Sequence, residues 1–322
     1  MGFPLRSYSR SNADFTTHIE GGFALSILSQ PQGTPERVWS LVNGIQASGG
    51  KLSPEDFGAL LNPGYVRDGA KVIAERTLAQ DATGVSTSLR LIIKENNSFH
   101  YALEQSLNYE TFPDTIHDLL VNTPDEEANS TILNAYAWLV AESHKQKDLS
   151  WSTFKDSKSF VEEMLDGLTG DDDDGARPMN TTKLPAWRRW LLFLGLCESL
   201  PGPTSGPIWH FSPARRIKLE LQRTNLPVGQ TITGSELVRM IANRCPYLDG
   251  GRKYQQDCTK MGYVHAPREL SAAFTVGLRE LEAEGVLEFG LLGDSSDALL
   301  LVPDPALRTN SFNRVTIRAI SK

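Results

Sequence analysis

The chain has 322 residues, 22% of them charged, with a net charge of −7 and three cysteines. Its length exceeds one ordinary domain and predicts two or three modules, each able to bury its own core. No stretch approaches the roughly 18 apolar residues of a membrane span, the opening MGFPLRSYSRSNADF lacks the apolar run of a signal peptide, and Cys197, Cys245 and Cys258 lack a close-pair metal spacing. A cytoplasmic protein without membrane, metal or cofactor is therefore expected.

Four helix starts share one device, a hydroxyl residue followed by proline, at Thr34-Pro35, Ser53-Pro54, Thr123-Pro124 and Ser212-Pro213. The hydroxyl caps a free backbone N–H, and proline fits the first helical position, where its missing N–H has no partner anyway. Residues 1–109 then read as helices PERVWSLVNGIQA, PEDFGALL and GAKVIAERTLAQ followed by a hairpin, SLRLIIKENNSFHYAL, turning at Asn96-Asn97, where adjacent asparagines tolerate positive φ. Three short helices and a hairpin give a winged-helix order.

Residues 110–168 read as an acidic helical bundle, with TPDEEANSTILNAYAWLVAES its clearest helix, acid in the first turn and apolar residues at helical spacing. Residues 169–184 contain four consecutive aspartates, which repel one another and predict a solvated linker. The 185–232 stretch begins with the apolar helix PAWRRWLLFLGLCESL, then the strand IWHF and the helix SPARRIKLELQR. The last module, 233–322, opens on the capping box Thr233-x-x-Glu236, continues through LVRMIANRC and a loop spanning PYLDGGRKYQQDCTKMGYVHAP, and reaches the helix of RELSAAFTVGLRELEAEG. VLEFGLL and DALLLV then read as two strands of one hairpin.

In that last helix, Leu270, Phe274, Leu278 and Leu281 form a core-facing stripe, while Arg268, Ala272, Thr275 and Arg279 lie on the opposite, outward face. A face with small and hydroxyl residues and two arginines can enter a DNA groove, where Arg meets phosphate or guanine and Thr meets either. The wing tip GDSSD argues the other way, because Asp294 and Asp297 repel phosphate. The expected architecture is mainly α with small β hairpins: tandem winged-helix (helix-turn-helix) domains joined by a helical bundle.

Charge is segregated. Residues 110–175 carry 4 basic and 16 acidic side chains, and residues 185–279 carry 13 and 6. Such asymmetry suits one face for an anionic partner and another for solvent or a basic protein.

RRWLLFLGL with HFSPARRI, then LSAAFTVGLRELEAEGVLEFGLLGDSSDALLLVP and the terminal SFNRVTIR, resembles the DpdG family of bacterial accessory proteins encoded in phage-defence and DNA-modification clusters. The resemblance covers residues 185–320. It implies a non-catalytic tandem winged-helix component working beside helicase or ATPase partners. Residues 1–168 resemble no family.

No G-x-x-x-x-G-K-[ST], G-x-S-x-G, H-E-x-x-H or C-x-x-C occurs, the six histidines lack partner motifs, and Pro113-Asp114 has no following E-x-K, so no enzymatic activity and no small-molecule substrate are expected. The preferred function is a DNA-binding accessory subunit of a defence or DNA-processing complex. Arg188, Arg189, Arg215, Arg216, Lys218, Arg252, Lys253 and Arg268 are candidate phosphate contacts on double-stranded DNA, and Thr275 and Arg279 candidate base contacts. Two alternatives stay open: a protein–protein adaptor that scaffolds partner subunits without DNA, and a transcription regulator, which needs a two-fold dimer on a palindromic site.

Overall fold

The computed structural model describes residues 26–54, 56–57, 67–68, 71–72, 77–168, 177–202, 206–224, 226–293, 296–307 and 309–319. Among them the chain is mainly helical with small antiparallel sheets. No helix of the described residues is long and apolar enough to cross a membrane.

The N-terminal unit begins with α1 (Pro35–Ala47), whose proline stands in the first turn after Thr34 and whose chain turns away through Gly49 and Gly50 at positive φ. Next come β1 (Lys51–Leu52), the small hairpin β2 (Arg67–Asp68) and β3 (Lys71–Val72), and α2 (Thr77–Ser88). Of the third helix expected from GAKVIAERTLAQ, residues 71–72 form β3, residues 77–80 lie in α2 and the rest lies outside the described residues, as does most of the second expected helix, PEDFGALL. β4 (Ile92–Glu95) and β5 (Ser98–Tyr101) pair across Asn96 and Asn97, at φ 46° and 56°, as the sequence predicts. β5 then lies between β1 and β4. Val38, Leu41, Val42 and Ile45 of α1 pack into this unit's core with Val85, Leu91 and Ile92.

The middle helices are α3 (Phe112–Val121), α4 (Thr131–Gln146), α5 (Trp151–Phe154), α6 (Ser157–Gly167) and α7 (Leu184–Leu194). α4 begins seven residues later than the Thr123-Pro124 step predicts, after turns and a single 3-10 turn at Ala128–Ser130. The acids of PDEEA therefore precede the helix instead of forming its first turn. Nearly every side chain of α4 from Thr131 to Ala141 is buried, which makes it an axis covered all round and not an amphipathic surface helix. It packs against α3, α6 and α7 on one side and against the C-terminal helices on the other. α7 ends at Gly195, left-handed at φ 78°, and feeds the hairpin of β6 (Glu198–Leu200) and β7 (Ile208–His210).

The C-terminal unit comprises α8 (Ala214–Gln222), β8 (Thr231–Thr233), α9 (Gly234–Arg244), α10 (Arg252–Lys260), α11 (Ala272–Ala283), β9 (Leu287–Gly290), β10 (Leu299–Leu300), β11 (Ser311–Phe312) and β12 (Arg314–Ile317). Thr233 caps α9 through Glu236 N at 3.1 Å, the expected half of a capping box. α10 lies inside the stretch expected to be loop. VLEFGLL and DALLLV do not pair with each other: β9 pairs with β12, and β10 pairs with β11. β12 also pairs with β8, giving the order β8-β12-β9. Both three-stranded sheets thus share one connectivity: the last strand in sequence inserts between the first two, and helices bridge the first two strands.

Candidate nucleic-acid interface

The expected DNA-facing helix is α11, and its apolar stripe is placed as predicted, with Leu270, Phe274, Leu278 and Leu281 buried. Its opposite face is buried too, which corrects the outward orientation expected for it. Ala272 is 4% and Thr275 2% exposed, and the Arg279 side chain is 14% exposed. The reason is the chain between β9 and β12, which returns across this face. Leu270 N donates to Leu300 O at 2.9 Å, Leu300 N donates to Arg268 O at 2.8 Å, and Val302 N donates to Thr275 Oγ1 at 3.2 Å. Arg279 donates to Thr309 O and Asn310 Oδ1, both at 3.3 Å, and faces Asp304 at 3.7 Å. On its other sides α11 meets α4, where Ala273 N donates to Ser143 Oγ at 3.2 Å, and α8, where Gly277 lies against Pro213. Thr275 and Arg279 are fixed to the protein's own backbone.

The candidate phosphate contacts divide into three groups. Arg216 and Lys253 are interior: Arg216, 0% exposed, pairs with Asp114 and with Glu220 at 2.9 Å, and Lys253, 1% exposed, donates to Asp125 and to Asn134 Oδ1 at 2.6 Å. Neither offers a surface to a duplex, because a buried charge is held by partners that cancel it. Lys218 and Arg188 are half-buried; Lys218 pairs with Glu284 at 2.9 Å, while the Arg188 guanidinium lies over the Phe160 and Trp209 rings. Arg189, Arg215, Arg252 and Arg268 are exposed. Of these, Arg189 lies 3.4 Å from Glu36, Arg252 pairs with Asp125, Arg268 donates to Ser296 O, and Arg215 makes no ion pair among the described residues. The exposed cations come from α7, α8, α10 and the approach to α11, not from one helix face. In the segment between β9 and β10, Asp297 accepts from Asn313 Nδ2 at 3.3 Å, and Asp294 lies outside the described residues.

The densest polar cluster joins the two halves of the chain. Glu220 of α8, 1% exposed, accepts from Arg223 and Arg244 and is ion-paired with Arg216. Arg216 and Arg223 reach across to Asp114 and Asp118 of α3. His117 of α3, fully buried, is 2.7 Å through Nε2 from Tyr247 Oη and 3.4 Å through Nδ1 from Glu220 Oε1. Burial pushes the His117 imidazole down, keeping it neutral. Burial opposes ionisation of Asp118, but the neighbouring His117 and the Arg223 guanidinium, which donates to it, outweigh burial and hold the carboxyl well below its usual range.

One group of potential metal donors exists among the described residues: His117, Glu220 and Cys245 bring one ligand atom each within 4.8 Å. Three guanidiniums already occupy the Glu220 oxygens, and burial pushes the Cys245 thiol up to about 12. A divalent ion there would face three positive charges and a protonated sulfur, so the donor set does not fit a metal. The cluster is a structural clamp between α3, α8 and α9.

Two features escape sequence reasoning. A cleft of about 480 Å³ runs beside α11, walled by Phe154, Leu200, Ile208, Val276, Val302 and Pro305, and Phe154 is 80% exposed. A second cleft, about 520 Å³, lies between α4 and α10 and is lined only by polar side chains, among them Asp125, Arg252, Lys253, Gln255, Asp257 and Lys260. The signal for α10 was present in RKYQQDCTK, where Tyr254 and Cys258 sit four apart and both are buried.

A family model described as DpdG-like matches residues 25–298, a span that runs from before α1 through α11 and β9. No curated protein and no solved structure matches the chain.

Proposed function

Because the chain belongs to the DpdG-like family, whose members are accessory proteins of defence and DNA-modification clusters, we propose that it is a non-catalytic accessory subunit that binds partner proteins of such a complex. In this reading the two three-stranded units are winged helices used as building blocks, as their shared strand order suggests. The observation that carries it is the burial of α11. The third helix of a winged helix reads a duplex only when one face is free, and here α4, α8 and the 299–311 return cover it. Its counterpart α2, TLAQDATGVSTS, has no lysine or arginine to meet phosphate. Exposed apolar side chains, Phe154 above all, and the cleft beside α11 suit protein contact instead. The reading predicts that the tagged full chain, purified from native cells, brings down stoichiometric subunits, and that Phe154→Asp reduces their recovery. Purification of a solitary chain under gentle conditions refutes it.

A second reading, duplex contact by an exposed rim of Arg189, Arg215, Arg252 and Arg268, is favoured by Arg215, which is exposed and has no acidic partner among the described residues. It requires duplex affinity to fall steeply with salt, and Arg215→Glu to lower that slope. A flat salt dependence removes it.

A further inference from the structure

Arg188 differs from four other arginines that are partly or wholly buried. Arg216, Arg223, Arg244 and Arg279 each face a carboxylate. Arg188 is half-buried yet makes no ion pair and donates no side-chain hydrogen bond among the described residues, and its Nε is buried without a partner. A guanidinium stays charged at any accessible pH, and here ring contacts, without an acceptor, offset the burial of Nε. The neighbouring Cys197 does not serve as counter-ion, because burial pushes its thiol far up and keeps it protonated.

Two rings hold the guanidinium. It lies 5.8 Å from the Phe160 centroid on α6 and 5.7 Å from the Trp209 centroid on β7. Phe160 is fully buried and stacked 6.0 Å from Phe211, so it is a rigid platform. Trp209 is partly exposed, on a hairpin whose position is fixed by Ser199 across the strands and by Thr153 Oγ1 donating to Trp209 O at 3.3 Å. These contacts orient the planar fork without supplying an acceptor to its Nη hydrogens. A fork pre-oriented in this way matches a tetrahedral oxyanion, and a cation beside a half-open indole is the pairing that receives phosphate with its attached base.

We infer that Arg188 anchors a site for a phosphate group, with Trp209 as the ring wall against which an attached nucleobase lies. The site does not depend on the partner-binding reading: the hairpin's Leu200 and Ile208 wall the cleft beside α11, but Arg188 and Trp209 do not line it.

The test follows the Trp209 indole N–H resonance of the full chain, assigned with Trp209→Phe, during titration with four probes. These are thymidine monophosphate, a short oligothymidylate, the same oligonucleotide as a duplex, and an oligoglutamate of matched charge. The phosphate probes are expected to shift that resonance, and Arg188→Gln to weaken the effect by about tenfold, as loss of a charge-assisted contact should. Binding by the nucleotide alone assigns a free-nucleotide source; a preference for the single strand or the duplex assigns nucleic acid. Arg188→Lys keeps the charge but loses the planar fork, and should bind at the same place more weakly. If Arg188→Gln does not fold, the lysine variant decides. No shift with any phosphate probe overturns the proposal. So does unchanged affinity in the decisive variant, or tighter binding of oligoglutamate than of phosphate.

Discussion

Replacing Glu220 by glutamine tests whether the clamp between α3, α8 and α9 holds the two halves together. The Glu220 residue is 1% exposed and its carboxylate is ion-paired with Arg216, Arg223 and Arg244. In the variant Arg223 keeps Asp118, and Arg216 keeps Asp114, whose side chain is 22% exposed, while Arg244 loses its only ion-pair partner among the described residues. Removing one partner of a buried pair costs about 3–5 kcal/mol, and the remaining acids place Glu220→Gln near the lower end, about 3 kcal/mol. With an m-value of about 3 kcal/mol/M, the urea midpoint should fall by roughly 1 M. Arg244→Gln, which removes a side chain 33% exposed, should cost about 1 kcal/mol. Urea unfolding followed by tryptophan fluorescence and far-UV circular dichroism measures both. A loss under about 1 kcal/mol for Glu220→Gln, or equal losses for the two variants, refutes the clamp.

Stability should also respond to His144, which is 1% exposed and whose imidazole burial pushes down to about 4. The unfolded chain takes up that proton first, so the contribution is present above about 6.5 and is lost as pH falls from there toward 4. Asp249 and Asp257, pushed up by burial to about 6, work in the opposite sense below that pH, so the difference between wild type and His144→Gln is the informative quantity. It should narrow between urea midpoints taken at neutral pH and near pH 4.5, and a constant difference would remove His144 as the source. Gly277→Ala should destabilise, although alanine is the better helix former, because its Cβ would lie 2.8 Å from Pro213 Cγ and 3.2 Å from Ala214 N. The expected cost is about 1–3 kcal/mol by thermal denaturation, and a stabilised variant would show that α8 yields to it.

Much of the local structure is legible in the chain. The helix boundary at Thr34-Pro35, though without a bond from the Thr34 hydroxyl, the Asn96-Asn97 turn, the Thr233 cap and the stripe of α11 all depend on neighbours a few residues away, and all appear. What depends on distant residues is not legible. Thr123-Pro124 has the chemistry of a helix start, yet α4 begins at Thr131. Asp125, one residue beyond that proline, accepts instead from Arg252 and Lys253, more than a hundred residues away. The face of α11 carrying Thr275 and Arg279 looks free by periodicity, and it is closed by a return segment whose course the strand pattern did not disclose. Arg216 and Lys253 illustrate the same limit: a basic side chain signals the surface only until an acid from another element neutralises it. Family resemblance was legible only in the second half, whereas the DpdG-like match extends through the first.

The strand order has a consequence for how the C-terminal unit is made. β8 and β9 do not touch each other, and both wait for β12, which meets β8 roughly 80 residues further along the chain. Until that strand arrives, β8 and β9 are bare edges, and α11 lacks the lid formed by the segment just before β12. The N-terminal unit closes by Tyr101, from contacts roughly 50 residues apart at most. Synthesis therefore passes through a stage in which a finished first unit trails an open second one, with apolar helix and sticky strand edges displayed together. That interval exposes the chain to chaperones and proteases in a way the finished fold does not.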